Sequence, residues 1–371
     1  CDSLQKCFDY CNNGDTVYID RGIYRETIFL DNKVLAIIGV DTDECIIDGT
    51  GLIGQIYAEY LVVQKKGNIK LKNVTLKKKK KSNEVYSNDY FNEWGELEIE
   101  SCILDTTHEA LPVSGYTRVD KCIFRGVGTG MSAHSNVKQI IKNSLFSIKI
   151  WEGAYGHAII NAVWSGSFQL NNNIIYTNDK YTASCIDLCT STGISIKNNL
   201  IYGFEVGVVG STFGAQPDTV EIVNNTIIYK FNDGAGILAG NMPAPIIIKN
   251  NLISGFKIGV SFQHFSTNAD YNLFHNVTRV TNMPPIGEHN IVADPMFNND
   301  TTFSFDAIDN FKLQKFSPAI DAGDPSILDV DGTRSDIGMF GGPNGISYEY
   351  RDLAPKVVKQ LKAVYEPATN R

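Results

Sequence analysis

The densest concentration of side chains able to do chemistry lies in KIWEGAYGHAIINAVW, residues 149–164. Trp151, Glu152, Tyr155, His157 and Trp164 fall in this one stretch, which holds two of the three tryptophans of the chain. Aromatic rings present flat apolar faces on which the C–H faces of a sugar can stack, and a histidine or glutamate beside them can take or give a proton. His134 and Asp187 stand at comparable outward places in neighbouring repeats. The candidate acid–base groups are therefore His157, Glu152, His134 and Asp187, and the candidate carbohydrate platform is Trp151, Tyr155 and Trp164. The competing use of the same residues is a packed aromatic cluster in a longer inserted loop.

Two charged clusters ask for a chemical account. Lys65, Lys66, Lys70, Lys72 and Lys77 through Lys81 crowd into 17 residues of a chain whose formal net charge is −8. Such a run is either a solvated loop or a patch that draws in a polyanion such as a uronate polymer. Asp321, Asp324, Asp329, Asp331 and Asp336 concentrate carboxylates near the C-terminal end. Asp329, Asp331 and Asp336 are the candidate Ca²⁺ ligands, but Gly332 comes too early for an EF-hand loop, and aspartates that build turns serve the pattern better.

Composition narrows the field. Lys and Arg total 33 against 41 Asp and Glu, which argues against a nucleic-acid binder. No stretch approaches the roughly 20 apolar residues of a membrane-spanning helix. The eight cysteines form no CxxC, CxxCH or His-spaced group, so zinc, haem and thioredoxin-like chemistry find no support and no cofactor motif appears; Cys185-x-x-x-Cys189 is the closest pair beyond the N-terminus. The sequence opens on Cys1 without a signal peptide and reads as trimmed.

What must position these residues is a repeat. One frame recurs as LKNVTL (71–76), IESCIL (99–104), VDKCIF (119–124), IKNSLF (141–146), LNNNII (170–175), IKNNLI (196–201), IVNNTI (222–227), IKNNLI (248–253) and ADYNLF (269–274). Its third residue falls at 73, 101, 121, 143, 172, 198, 224, 250 and 271, in steps of 20 to 29. Short alternating strands at that period, without helices between them and without the Leu-x-x-Leu-x-Leu frame, describe a parallel β-helix: each coil is two or three strands stacked on their copies about 4.8 Å away. A further strand follows in most coils, with Val208, Ile237 and Val260 inside and Val209, Leu238 and Ser261 outside. The third residue must take a tight left-handed bend, which Asn tolerates best after Gly. The fourth points inward, where Asn199, Asn225, Asn251 and Asn272 can stack as an amide ladder; Cys102 and Cys122 hold the same place as small buried packers. Leu4, Cys7, Phe8 and Cys11 have helical spacing and predict a short capping helix over residues 3–12.

The expected fold is thus all-β, a right-handed parallel β-helix of about eleven coils and roughly 50 Å over 1–350, with a short N-terminal capping helix. Residues 351–371 read as a linker and, in PKVVKQLKAVYEPATNR, resemble the first strand of a fibronectin type III domain. GDTVYIDRGIYRETIFL (14–30), LAIIGVDTDECIIDGTG (35–51), DYNLF (270–274), ADPMF (293–297), FKLQKFSPAIDAGDP (311–325) and DVDGTRSDIGMFGG (329–342) together resemble the right-handed β-helix repeat proteins of the pectate-lyase-like superfamily, over about 3–350. The resemblance implies a secreted or surface-displayed protein, often multidomain, and says little about activity. Relatives that hydrolyse pectin use an adjacent Asp-Asp, which is absent; so are the Asp-Phe-Ile-Phe-Gly stretch of pectin methylesterases and the Asp cluster that holds Ca²⁺ in pectate lyases. The expected function is a carbohydrate-binding or structural, adhesin-like module whose partner is a polysaccharide or cell-surface glycan, with self-association or adjoining domains as further partners. The alternative is a polysaccharide lyase or related carbohydrate-active enzyme acting on an acidic polysaccharide.

Overall fold

A computed structural model describes residues 3–52, 62–78, 95–106, 109–113, 115–133, 138–149, 159–163, 166–189, 193–211, 219–240, 246–262, 267–283, 286–299 and 305–353. The N-terminal helix spans Leu4–Tyr10, with Ser3 as its N-cap accepting from the Lys6 N–H. Leu4 and Phe8, one turn apart, bury into the first coil and close its apolar end. Cys7 is disulfide-bonded, whereas Cys11, Cys45, Cys102, Cys122 and Cys185 are free thiols.

Each coil then gives one strand to an eleven-stranded sheet that runs from Thr16–Ile19 to Thr267–Asp270, every neighbour parallel. The remaining strands form a second, eighteen-stranded sheet. Crossovers between parallel strands are right-handed in nearly all proteins, which is the hand expected from the sequence. Alternation puts Ile196, Ile222 and Ile248 on the inner side of the first sheet and Ile201, Ile227 and Ile253 on that of the second. In-register stacking repeats such side chains along the axis, and Phe124 and Phe146 stack with ring centroids 4.2 Å apart. Val208, Ile237 and Val260 lie inside as expected; Ser261, expected outside, is nevertheless covered. Among the described residues no helix is long and apolar enough to cross a membrane.

The bend falls where the repeat placed it. Asn73, Ser101, Lys121, Asn143, Asn172, Asn198, Asn224, Asn250 and Tyr271 all take φ between 51° and 58°. The next residue turns inward. Asn199 Nδ2 donates to Asn225 Oδ1 at 2.9 Å, Asn225 Nδ2 to Asn251 Oδ1 at 3.0 Å and Asn251 Nδ2 to Asn272 Oδ1 at 3.0 Å. Each Oδ1 also accepts the backbone N–H of the preceding rung, so no oxygen in this run is idle. The ladder is longer than the four rungs expected: Asn173 precedes it and Asn290 follows it. Before Asn173 the place passes to Ser144, Cys122 and Cys102, whose smaller groups bond mainly to backbone.

The bend residues do a second job that the repeat pattern did not reveal. After the last coil, residues 293–299 and 305–353 fold back along the outside of the stack. Asn250 Oδ1 accepts the Asp324 N–H, Asn224 Nδ2 donates to the Asp336 carbonyl, Asn198 Nδ2 to the carbonyls of Met339 and Gly341, and Asn172 Nδ2 to that of Asn344. Strap numbering rises as coil number falls, so the strap runs against the direction of growth. Beneath it Leu200, Tyr202, Ile228, Leu252 and Leu273, which point away from the coil interior, form a second apolar core with Phe297, Phe311, Leu313 and Ile337. Arg351 still pairs with Gln314, and residues 354–371, to which the fibronectin reading belongs, lie outside the described residues.

Candidate functional site

Of the residues singled out in the sequence, Trp151, Glu152, Tyr155, His157, Trp164 and His134 lie outside the described residues. Asp187 is described. It sits on the strand Ile174–Cys189, partly exposed, in register with Asn161 of the coil before and Val209 of the coil after. Asn161 Oδ1 is buried without a hydrogen-bond partner. In the sequence the strand carrying Asn161, Ile160–Val163, comes between His157 and Trp164.

The lysine cluster is partly neutralised by the sheet itself. Lys70 Nζ lies 3.3 Å from Glu98 and Lys72 Nζ 3.0 Å from Glu100, each on the next strand in register. Farther along, Lys142 meets Asp120 on the strand before it, and Lys197 meets Glu221 on the strand after it, two places out of register. The exposed Lys70 and Lys72 pairs add little to stability, but they lower the charge that these lysines offer a polyanion.

The C-terminal aspartates build the strap. Asp329 accepts the N–H groups of Asp336 and Gly342, and Asp331 accepts the N–H and hydroxyl of Thr333 in a local turn. Asp336 accepts the Asp321 N–H and the Tyr350 hydroxyl, and Asp324 meets Lys249 Nζ at 2.6 Å. The candidate Ca²⁺ ligands Asp329, Asp331 and Asp336 thus spend oxygens on internal donors, the turn-building role. Among the described residues no group of three or more His, Cys, Asp or Glu side chains is arranged to hold a metal ion.

A site that the sequence reading missed lies at the corner of coils nine to eleven. In coil nine the strands Thr226–Ile228 and Ala235–Ala239 are joined by residues 229–234; in coils ten and eleven the same corner takes only 255–257 and 276–278. The longer connection stands out from its shorter neighbours and makes one wall of a cleft of about 560 Å³. Tyr229, Lys230, Asn232, Ser254, His275 and Thr278 line it, and Phe297 of the strap closes one side. Short turns need residues that let coils approach closely: Gly255, at φ +83°, brings its Cα against the Tyr229 carbonyl, where any side chain would collide.

Three interactions shape this cleft. The Lys230 ammonium sits 5.1 Å from the centre of the Tyr202 ring, a cation–π contact that holds a long side chain over the corner. Tyr229 stacks on Phe256 and meets Phe231 edge-on; burial raises its phenol above the ordinary value, with Asp233 adding to the shift, so it stays a neutral hydroxyl. Ser254 Oγ lies 3.1 Å from His275 Nδ1, on strands whose register sets the two residues side by side. A legible signal for this pair existed: each stands four places after the bend residue of its coil, Asn250 and Tyr271. A second histidine pair, His289 Nδ1 with Asp270 Oδ2 at 2.9 Å, does not line the cleft; its ring stacks on Tyr271, over which the strap's Arg334 also lies.

No protein-family model matches this sequence, and no curated protein matches it. Several solved structures are similar at a distance, the following two among them. One is the A-module of the mannuronan C-5 epimerase AlgE6 of Azotobacter vinelandii, 13% identical, covering 78% of this chain and 93% of that one, with a TM-score of 0.39. The other is the catalytic unit of a thermostable GH87 α-1,3-glucanase of Streptomyces thermodiastaticus, 11% identical, covering 74% and 62%, with a TM-score of 0.29. Likenesses this distant carry no weight on function, which has to be argued from the residues of this chain.

Proposed function

We propose that this chain is a carbohydrate-binding β-helix domain of the pectate-lyase-like type, working outside the cell or on its surface and holding a polysaccharide along the side of the coil stack. The observation that carries this reading is the cleft across coils nine to eleven. Its volume suits one or two sugar units, and hydroxyl, amide, imidazole and ammonium groups converge in it beside an aromatic ring. The disulfide at Cys7 supports an oxidising compartment. Trp151, Tyr155 and Trp164, the aromatic platform expected from the sequence, are part of the proposal as sugar-stacking residues.

Titration of purified protein with pectate, alginate and chondroitin fragments by calorimetry tests the reading. Weak binding is expected, with Lys230→Ala and Trp164→Ala each lowering affinity several-fold; unchanged affinity in both variants rules out this surface.

The elimination chemistry of a lyase needs a base together with a group that neutralises the uronate carboxylate at one point. Asp187 and Asn161 supply no such cation, and in the cleft the His275 imidazole is turned to Ser254 and the Lys230 ammonium lies over the Tyr202 ring. Absorbance of unsaturated uronate is therefore expected to stay flat with these polymers, with or without Ca²⁺. A rise that disappears in His157→Ala would establish the lyase instead.

A further inference from the structure

We infer that the cleft across coils nine to eleven is also a hydrolytic site for O-acyl esters, with Ser254 as nucleophile and His275 as its base. The inference rests on the carbohydrate reading for the nature of the alcohol, an acylated sugar hydroxyl, but the ester chemistry stands on its own geometry.

Ser254 Oγ and His275 Nδ1 are 3.1 Å apart, within reach of the proton transfer that turns a serine hydroxyl into a nucleophile. Both are held by rigid backbone. Ser254 ends the strand Leu252–Ser254 and His275 ends Leu273–His275; these strands pair in parallel, so register and not a flexible loop sets the separation. The Gly255 N–H donates to the His275 carbonyl at 3.0 Å and locks the two strand ends together immediately beyond the pair. Ser254 is mostly covered and His275 partly exposed, the arrangement of a nucleophile at the floor of a cleft with its base on the wall. Lys230, Asn232 and Asn276 line the same cleft and supply N–H donors toward which the acyl oxygen can point as it gains negative charge.

The chemistry balances within the cleft. Ser254 Oγ bonds to the acyl carbon while its proton passes to His275 Nδ1. The bond from acyl carbon to sugar oxygen breaks, and that oxygen leaves as a hydroxyl carrying the proton from His275. Water then attacks the acyl-serine with His275 again taking the proton, releasing the carboxylic acid and restoring Ser254.

Two measurements on the whole chain decide the matter. A fluorophosphonate probe, which captures activated serines, is expected to label the protein once, at Ser254 by peptide mass spectrometry. Labelling should be lost in Ser254→Ala and slowed at least 100-fold in His275→Gln. In parallel, acetate release from p-nitrophenyl acetate and from O-acetylated pectin should fall to background in Ser254→Ala. Mapping the label on the unsubstituted protein keeps the test independent of variant folding. Absence of label, label at another serine, or a labelling rate indifferent to His275→Gln each overturns the inference. Calorimetry of the unsubstituted protein with non-acetylated pectate separates the two claims: glycan binding without esterase activity sinks the esterase alone, whereas esterase activity on p-nitrophenyl acetate without any glycan binding sinks the carbohydrate reading alone.

Discussion

Replacing Asn225 with leucine is expected to destabilise the coil stack by about 3 kcal/mol, although leucine is apolar, of similar size and enters a dry interior. Asn225 Oδ1 accepts from both the backbone N–H and the side-chain Nδ2 of Asn199. Its own Nδ2 donates to the carbonyls of Ile196 and Val223 and to Asn251 Oδ1. Leucine supplies none of these. The Asn199 amide would retain Leu170 O as an acceptor, but the Asn199 backbone N–H would be orphaned in a place without water. A buried group left unsatisfied costs about 1–3 kcal/mol, and more than one is created here. Urea unfolding followed by circular dichroism should show the loss, with Glu221→Gln on the outer face of the same coil changing stability by less than about 0.5 kcal/mol. If the Asn225→Leu midpoint coincides with that of the parent, the ladder is not a source of stability.

The strap is expected to hold more tightly at pH 5 than at pH 7. Burial raises the Asp336 carboxyl to about 6 despite the hydrogen bonds from Tyr350 and Asp321, and the neighbouring charges of Asp329 and Asp321 push it the same way. In the unfolded chain an aspartate titrates near 3.8. Between these two values the folded protein binds a proton that the unfolded chain does not, so stability rises as pH falls through about 6 and is fully gained below about 4. Two units correspond to roughly 3 kcal/mol. Asp324 works in the opposite sense. Burial alone would raise it, but the Lys249 ammonium and the Ser326 N–H and hydroxyl outweigh that and bring it to about 2. Its contribution is complete above about 4 and is lost as pH falls through 2. The strap should therefore be most stable near pH 4. Hydrogen exchange of strap amides such as Ile337 and Gly338 across pH 4–7, corrected for intrinsic exchange rates, measures this directly. Asp336→Asn should flatten the profile between pH 4 and 7; an unaltered slope in that variant would show that Asp336 is not the responsible group.

How much of this protein is legible in its sequence follows from the range over which each interaction acts. A stacked coil repeats one local problem, a tight bend followed by an inward polar residue, and the solution at Asn198–Asn199 must recur at Asn224–Asn225 and Asn250–Asn251 because each coil meets only its neighbours. The period, the bend positions, the inward ladder and the helix that buries Leu4 and Phe8 could all be read from residue order alone. The strap could not. Asn198 and Met339 are joined across 141 positions, and nothing local to either marks the contact. The outward apolar row of Leu200, Leu252 and Leu273 has the same alternating signature whether it faces solvent or a covering segment. Lys70 and Lys72 read as free charge until register sets Glu98 and Glu100 beside them. The cleft shows the same division. The serine and the histidine each occupy an ordinary position in the repeat, and only the pairing of strands from successive coils, with a longer connection in one coil and shorter ones in the next, brings Ser254, His275 and Lys230 to one place.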